Sequence, residues 1–202
     1  MNVCSADLHV HTALSPCADT AMTPPAIVAA ALAAGLDMIA VCDHNSARNA
    51  AAVQEAAGER LAVLAGMEIT TLEECHVVGL FPDARTAETA AEEVGSALPP
   101  VDADYEAFFG VQLVCDADGR ESDRERRALA MATPFTVDAV VDLVHRHRGL
   151  AVAAHIDRRS FGVIGQLGFF PADAGFDAVE LSRHVPPDST ASATRAPTRG
   201  AS

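Results

Sequence analysis

Strand-length apolar runs alternate along this chain with helix-patterned segments, and most of the runs end at or are interrupted by a histidine or an acid. The first run covers residues 3–10. Others follow at 37–42, 61–66, 76–81 and 150–154, and a last strand is expected at about 177–181. Thr23-Pro24-Pro25 opens a helix that runs from Ile27 to Ala34 and stops at Gly35. Further helices are expected at 46–57, 84–97 and 136–148, the last stopped by Gly149. Short buried strands alternating with helices predict a parallel α/β fold, and in such folds sites form at the carboxyl ends of the strands.

Two stretches break the pattern. Residues 98–132 carry a Pro-Pro pair, the aromatics Tyr105, Phe108 and Phe109, and a mixed charge run from Asp116 to Arg127. They read as a partly helical insertion or excursion, with the charge run as a solvated face. Residues 183–202 are rich in Pro, Ser, Thr, Ala and Arg without periodicity and are expected to be a disordered tail. Residues 1–182 are therefore expected to form one domain, a length sufficient for a full core.

The formal net charge is −14. A basic surface is what non-specific duplex binding requires, so no duplex nucleic acid is expected as a partner. No apolar stretch suits a membrane span, and the N-terminus lacks a signal-peptide pattern. Cysteines at 4, 17, 42, 75 and 115 are odd in number and irregular in spacing, with no Cys-x-x-Cys. That usage predicts a reduced, cytoplasmic chain.

The chemistry-bearing residues sit mostly at the strand ends. In Asp7-Leu8-His9-Val10-His11 the two histidines lie at i and i+2, on one side of an extended chain. Asp43-His44 follows the second strand, Glu68 the third, and His76 begins the next. His155 follows residues 150–154, and Glu180 sits in the last strand. A lone buried histidine is ordinarily a hydrogen-bonded core residue. Recurrence of imidazole and carboxylate at successive strand ends points instead to shared metal ions, because burying such groups without a partner is costly. The donor set suits zinc, manganese or iron. Glu68, with two oxygens, can bridge two ions, and paired ions can activate water against a phosphate ester. Arg158 reads either as a phosphate-binding side chain or as an exposed surface arginine. Cys17 and Asp19, in the loop after the double histidine, each offer a further ligand, and a loop thiol with no metal role is as good a reading of Cys17. Cys42 and Cys75 read as packing residues. His145 and His147 read as complements to a helix C-terminus.

Together these motifs resemble the PHP (polymerase and histidinol phosphatase) superfamily. The matching pieces are Asp7-Leu8-His9-Val10-His11-Thr12, Ala40-Val41-Cys42-Asp43-His44-Asn45, Gly66-Met67-Glu68, His76 and Ala154-His155, within residues 5 to about 182. The resemblance implies a distorted (β/α)7 barrel with two or three divalent ions. It implies that His9, His11 and Glu68 hold one ion, that Glu68, His76 and His155 hold a second, and that His44 with Cys17 or Asp19 belongs to a third. Asp43 would support the ligands or take part in proton transfer. The implied activity is hydrolysis of a phosphate monoester or diester, on a phosphorylated small molecule, a nucleotide or a short oligonucleotide. One departure stands out. The family's closing Ser/Gly-Asp-Ala-His type motif has no counterpart, since His184 and Asp188 have the wrong order and spacing. The barrel is therefore expected to be incomplete at its C-terminus, and the alternative expectation is an impaired domain that binds metal or ligand without turnover. An amidohydrolase relying on a lysine ligand is disfavoured, because all 14 Lys+Arg residues are arginine.

Overall fold

In the computed structural model, residues 4–182 are described. The expected disordered tail, with His184 and Asp188, lies outside them. The first half alternates strand and helix: β1 (Ala6–Val10), α1 (Pro24–Ala33), β2 (Met38–Val41), α2 (Ala50–Ala57) and β3 (Ala62–Thr70). Then come β4 (His76–Phe81), α3 (Ala84–Gly95), α4 (Ala103–Phe109), and the hairpin strands β5 (Leu113–Cys115) and β6 (Glu121–Arg124). The chain continues through α5 (Val137–Arg146), β7 (Leu150–Ala153), α6 (Val163–Leu167) and β8 (Ala178–Val179). Six strands form one curled, half-barrel sheet in the order β1-β2-β3-β4-β7-β8. This is the incomplete, distorted barrel that the resemblance implies. No helix among the described residues is long and apolar enough to cross a membrane.

The sheet is not wholly parallel, which corrects the reading made from the alternation. β4 runs antiparallel to both neighbours, β3 and β7. The cause is local. Only residues 71–75 separate β3 from β4, and so short a link can make a hairpin but not a crossover. The hairpin pairs Thr70 with His76, so the start of β4 lies at the same end of the sheet as the close of β3. β1, β2, β3, β7 and β8 share one direction.

Alternation along the strands divides two cores. On the outer face Ile39, Val41, Ala65, Met67, Ile69 and Val77 pack with buried residues of α1, α2, α3 and α5. On the inner face Ala40, Cys42, Val78 and Ala154 form a smaller cluster with Leu64, Leu80 and Val152. Leu64, Gly66 and Glu68 share a parity, so Glu68 belongs to the inner face. Gly66 permits this tight interior: a Cβ there would stand 2.9 Å from the Cys42 Sγ and 2.8 Å from the Gly79 carbonyl. Cys42 and Cys75 are fully buried, as packing residues should be.

The excursion at 98–132 is better ordered than its composition suggests, with α4 and the β5–β6 hairpin inside it. Two buried asparagines tie it to the sheet. Asn49 donates to Thr12 Oγ1 (2.8 Å) and the Leu113 carbonyl (3.0 Å), and accepts from Cys115 N–H. Asn45 donates to the Leu129 and Met131 carbonyls and accepts from Thr70 N–H. Asn49 thus acts as a tie rather than within a helix, and α2 starts at Ala50 instead of residue 46. The charge run is solvated at β6, but Glu125 is 5% exposed and accepts from the Arg127 guanidinium at 2.8 and 2.9 Å.

Candidate metal centre

Glu68, 1% exposed, is ringed by histidines from four places in the sheet. Its Oε1 lies 3.3 Å from His9 Nε2, 2.7 Å from His76 Nδ1 and 3.1 Å from His155 Nε2. Its Oε2 lies 3.3 Å from His11 Nε2 and 3.2 Å from His44 Nδ1. Each histidine arrives from a strand end: His9 from β1, His11 just beyond it, His44 after β2, His76 at the start of β4 and His155 after β7. His76 Nδ1 and His155 Nε2 are 3.4 Å apart, so Glu68, His76 and His155 form one compact triplet. His9, His11 and Glu68 form another, His44, Glu68 and His76 a further one, and His11, His44 and Cys17 a last one, outside Glu68. Asp19 turns elsewhere, its Oδ1 accepting from Ala21 N–H at 2.8 Å. Between the two loop candidates, Cys17 is the one brought to the histidines.

The outer nitrogens are held in a way that fits cation binding. Ser15 Oγ donates to Asp43 Oδ1 at 2.6 Å. Its one proton is thereby used, so it accepts from His44 N–H and from His11 Nδ1–H, both at 3.0 Å. His11 Nε2 is left with its lone pair facing the Glu68 carboxylate. His9 repeats the arrangement: Nδ1 donates to Glu180 Oε2 at 2.8 Å, and Nε2 faces Glu68. A lone pair against a carboxylate is repulsive unless a cation or a proton lies between them. Among the buried side-chain atoms without a hydrogen bond are His9 Nε2 and His44 Nδ1, both turned toward Glu68. Ligand atoms held ~2.0–2.1 Å from one tetrahedral ion lie about 3.4 Å apart. The Glu68 separations from His9, His11 and His44, at 3.2–3.3 Å, match that spacing. The donor set, the lone pairs and the unpartnered nitrogens all fit divalent ions.

The electrostatics follow. Burial alone would raise Glu68, but its close pairing with His11, His155, His76 and His9 holds it well below the usual carboxylate range. Burial opposes charge on His9, yet its bond to Glu180 and the nearby carboxylates of Glu180 and Glu68 outweigh that and push its pKa up to about 10. Burial pushes His44 down to about 3, and repulsion from His11, His76 and His9 outlasts the pull of Glu68. Burial, then Glu68 and Asp43, raise the Cys17 thiol to about 11.

A raised His9 pKa fixes the sign of a pH effect. In the metal-free protein the charged His9 contributes stability that is complete below the ordinary value of 6.5 and is lost as pH rises through about 10. A cation at Nε2 must expel that proton. Metal binding near neutral pH is therefore expected to release a proton from His9, and less of one in a Glu180→Gln variant. Calorimetry in buffers of different ionisation enthalpy reads the difference.

Asp43 is 0% exposed, and both its oxygens are engaged: Oδ1 by Thr12 N–H (2.7 Å) and Ser15, Oδ2 by the Thr12 hydroxyl (2.8 Å). It reaches the cluster only through Ser15. Arg158 is exposed, three residues past His155, and forms no ion pair among the described residues. His145 and His147 lie away from the cluster, on Asp177 and Glu93. Two supporting residues escaped the sequence reading. Ser15 carried no signal beyond its i+4 spacing from His11. Glu180 was visible as an acid in the last strand but without a role. His155 sits at φ +28° and Asn45 at φ +50°, positive values that non-glycine residues adopt where surroundings dictate them. Ser15→Ala should lower metal affinity roughly 10- to 100-fold, the usual effect of losing a ligand's supporting partner. Competition with a chelator measures it, with circular dichroism expected unchanged.

A curled α/β sheet with a histidine-ringed carboxylate at its strand ends places the molecule among the incomplete TIM-like barrels. The chain belongs to the PHP domain family, whose model matches residues 7–164. No curated protein matches it. Solved structures share the fold at low identity. A protein of Bifidobacterium adolescentis assigned as a metal-dependent phosphoesterase is 21% identical with TM-score 0.61, over 93% of this chain and 80% of that one. An amidohydrolase of Chromobacterium violaceum with bound sulfate is 20% identical with TM-score 0.57, over 87% and 76%. The lesion-specific endonuclease PfuEndoQ of Pyrococcus furiosus is 16% identical with TM-score 0.63, over 92% of this chain and 43% of that one. An endonuclease Q structure holding a 27-mer duplex with an abasic lesion is also similar. The exclusion of duplex substrates, expected from net charge, gains no support from these relatives.

Proposed function

We propose that this chain is a metal-dependent phosphoesterase that hydrolyses a phosphate monoester or diester of a small molecule, nucleotide or short oligonucleotide. The observation that carries the reading is Glu68, whose buried carboxylate lies within 3.3 Å of nitrogens from five histidines. His9, His11 and Glu68 would hold one ion, Glu68, His76 and His155 a second, and His44 with Cys17 a third. Zinc, manganese or iron in these positions supplies Lewis acidity, which makes water a nucleophile near neutral pH and offsets charge on phosphate oxygens.

The chain's own residues supply the rest. Ser15 and Glu180 fix the histidine tautomers, so that His11 and His9 present their Nε2 lone pairs inward. Asp43 anchors Ser15 and the Thr12 backbone, and its burial suits support of His11 better than proton exchange with a substrate. Arg158, exposed beside His155, would meet a phosphate oxygen. The test is hydrolysis of p-nitrophenyl phosphate and bis(p-nitrophenyl) phosphate, a nucleoside monophosphate and a short oligonucleotide, with added Mn²⁺ or Zn²⁺. Turnover that a chelator abolishes and metal restores supports the reading. Stoichiometric metal with no turnover on any of them overturns it.

A further inference from the structure

Phe161 lies in the turn between His155 and α6. Its ring stacks on the His76 imidazole, with centroids 4.5 Å apart and planes within 13°. Its carbonyl also accepts from His76 N–H at 2.8 Å. Yet Phe161 remains 42% exposed, so one face covers a histidine of the cluster and the rest of the ring is open beside it. The backbone holds it there at φ +61°, a conformation that bulky side chains rarely adopt. The turn is drawn tight on two glycines: a Cβ at Gly162 would stand 2.4 Å from the Arg158 carbonyl, and one at Gly165 2.4 Å from that of Arg159. Leu72, in the β3–β4 hairpin, and Met131, whose carbonyl binds Asn45, are exposed on neighbouring segments at the same end of the sheet.

We infer that the open face of Phe161 is a stacking platform for a flat aromatic group carried by the phosphate ester, and that Phe161 determines specificity for such esters. The inference rests on the phosphoesterase reading and deepens it. Charge at the ligand cluster would engage the phosphate, while ring–ring contact at Phe161 would engage the alcohol part.

Binding of phenylphosphonate and methylphosphonate to the Mn²⁺-loaded protein, measured by calorimetry, tests it without turnover. The wild type should bind the phenyl compound about tenfold more tightly, as aromatic stacking provides. Phe161→Leu should erase that preference while leaving methylphosphonate affinity unchanged. Phe161→Trp, which keeps a ring, should retain it. Equal affinities in the wild type, a preference that survives Phe161→Leu, or a loss for both phosphonates alike would overturn the inference, the last by showing that Phe161 only braces His76. Failure of the wild type to bind either phosphonate would instead bring down the phosphoesterase reading, and the inference with it.

Discussion

Glu68→Ala is expected to strip the metal centre of the two ions proposed to share this carboxylate. Among the described residues no other carboxylate lies between the histidines: the Glu180 carboxylate accepts from His9 Nδ1 and the His155 N–H, and the Asp43 carboxylate reaches them through Ser15. Losing a group that merely supports a ligand costs roughly 10- to 100-fold in metal affinity or activity. Removing the carboxylate shared by two proposed sites should therefore cost more than about 100-fold in both. The fold should survive, because the main-chain ties at residue 68 remain: its N–H donates to the Asp43 carbonyl, and its carbonyl accepts from Asn45 N–H. Glu68→Gln should fail almost as fully, since a neutral amide offers one acceptor oxygen and points donors at nitrogens that also need a positive partner. Metal content per chain and initial rate, measured together on both variants, check this. Retention of two or more ions by either variant would refute a shared-carboxylate centre.

The second large effect is on stability. Asp43→Ala should destabilise the protein by at least about 3 kcal/mol, since three buried donors lose their acceptor and each such loss costs ~1–3 kcal/mol. Those donors are Thr12 N–H, the Thr12 hydroxyl and the Ser15 hydroxyl. Asp43→Asn keeps the volume and one carbonyl oxygen, and should cost less than half as much. Urea denaturation of the two variants gives the comparison. The same pair separates the two roles that the sequence left open for Asp43. A stable Asp43→Asn variant with full metal but no turnover would mean proton transfer. Turnover that falls only in step with metal affinity would mean support.

Sequence pattern exposed the ligand-type residues because each disturbs an apolar run. A histidine or acid among Ala, Val, Ile and Leu stands out, and His76–Phe81 even matched its strand residue for residue. Strand direction was not encoded that way. β4 reads as one more apolar run, and only the shortness of residues 71–75 forces it antiparallel. Partnerships made through space were also hidden. Glu180 and His9 are distant in sequence, and nothing in either neighbourhood announces their bond. Glu125 looked like part of a solvated charge run because its burial depends on Arg127 folding over it. Phe161 gave no signal, since an isolated phenylalanine in a loop is ordinary. α6 and the β5–β6 hairpin escaped because both are short and only weakly patterned.

Metal stoichiometry reads out whether the Glu68 cluster is a polynuclear divalent centre. Protein stripped with chelator, reloaded with Zn²⁺ or Mn²⁺, desalted and assayed by plasma mass spectrometry should carry two or three ions per wild-type chain and at most one in Glu68→Ala. Less than one ion per wild-type chain, or an equal load in the variant, would contradict the account.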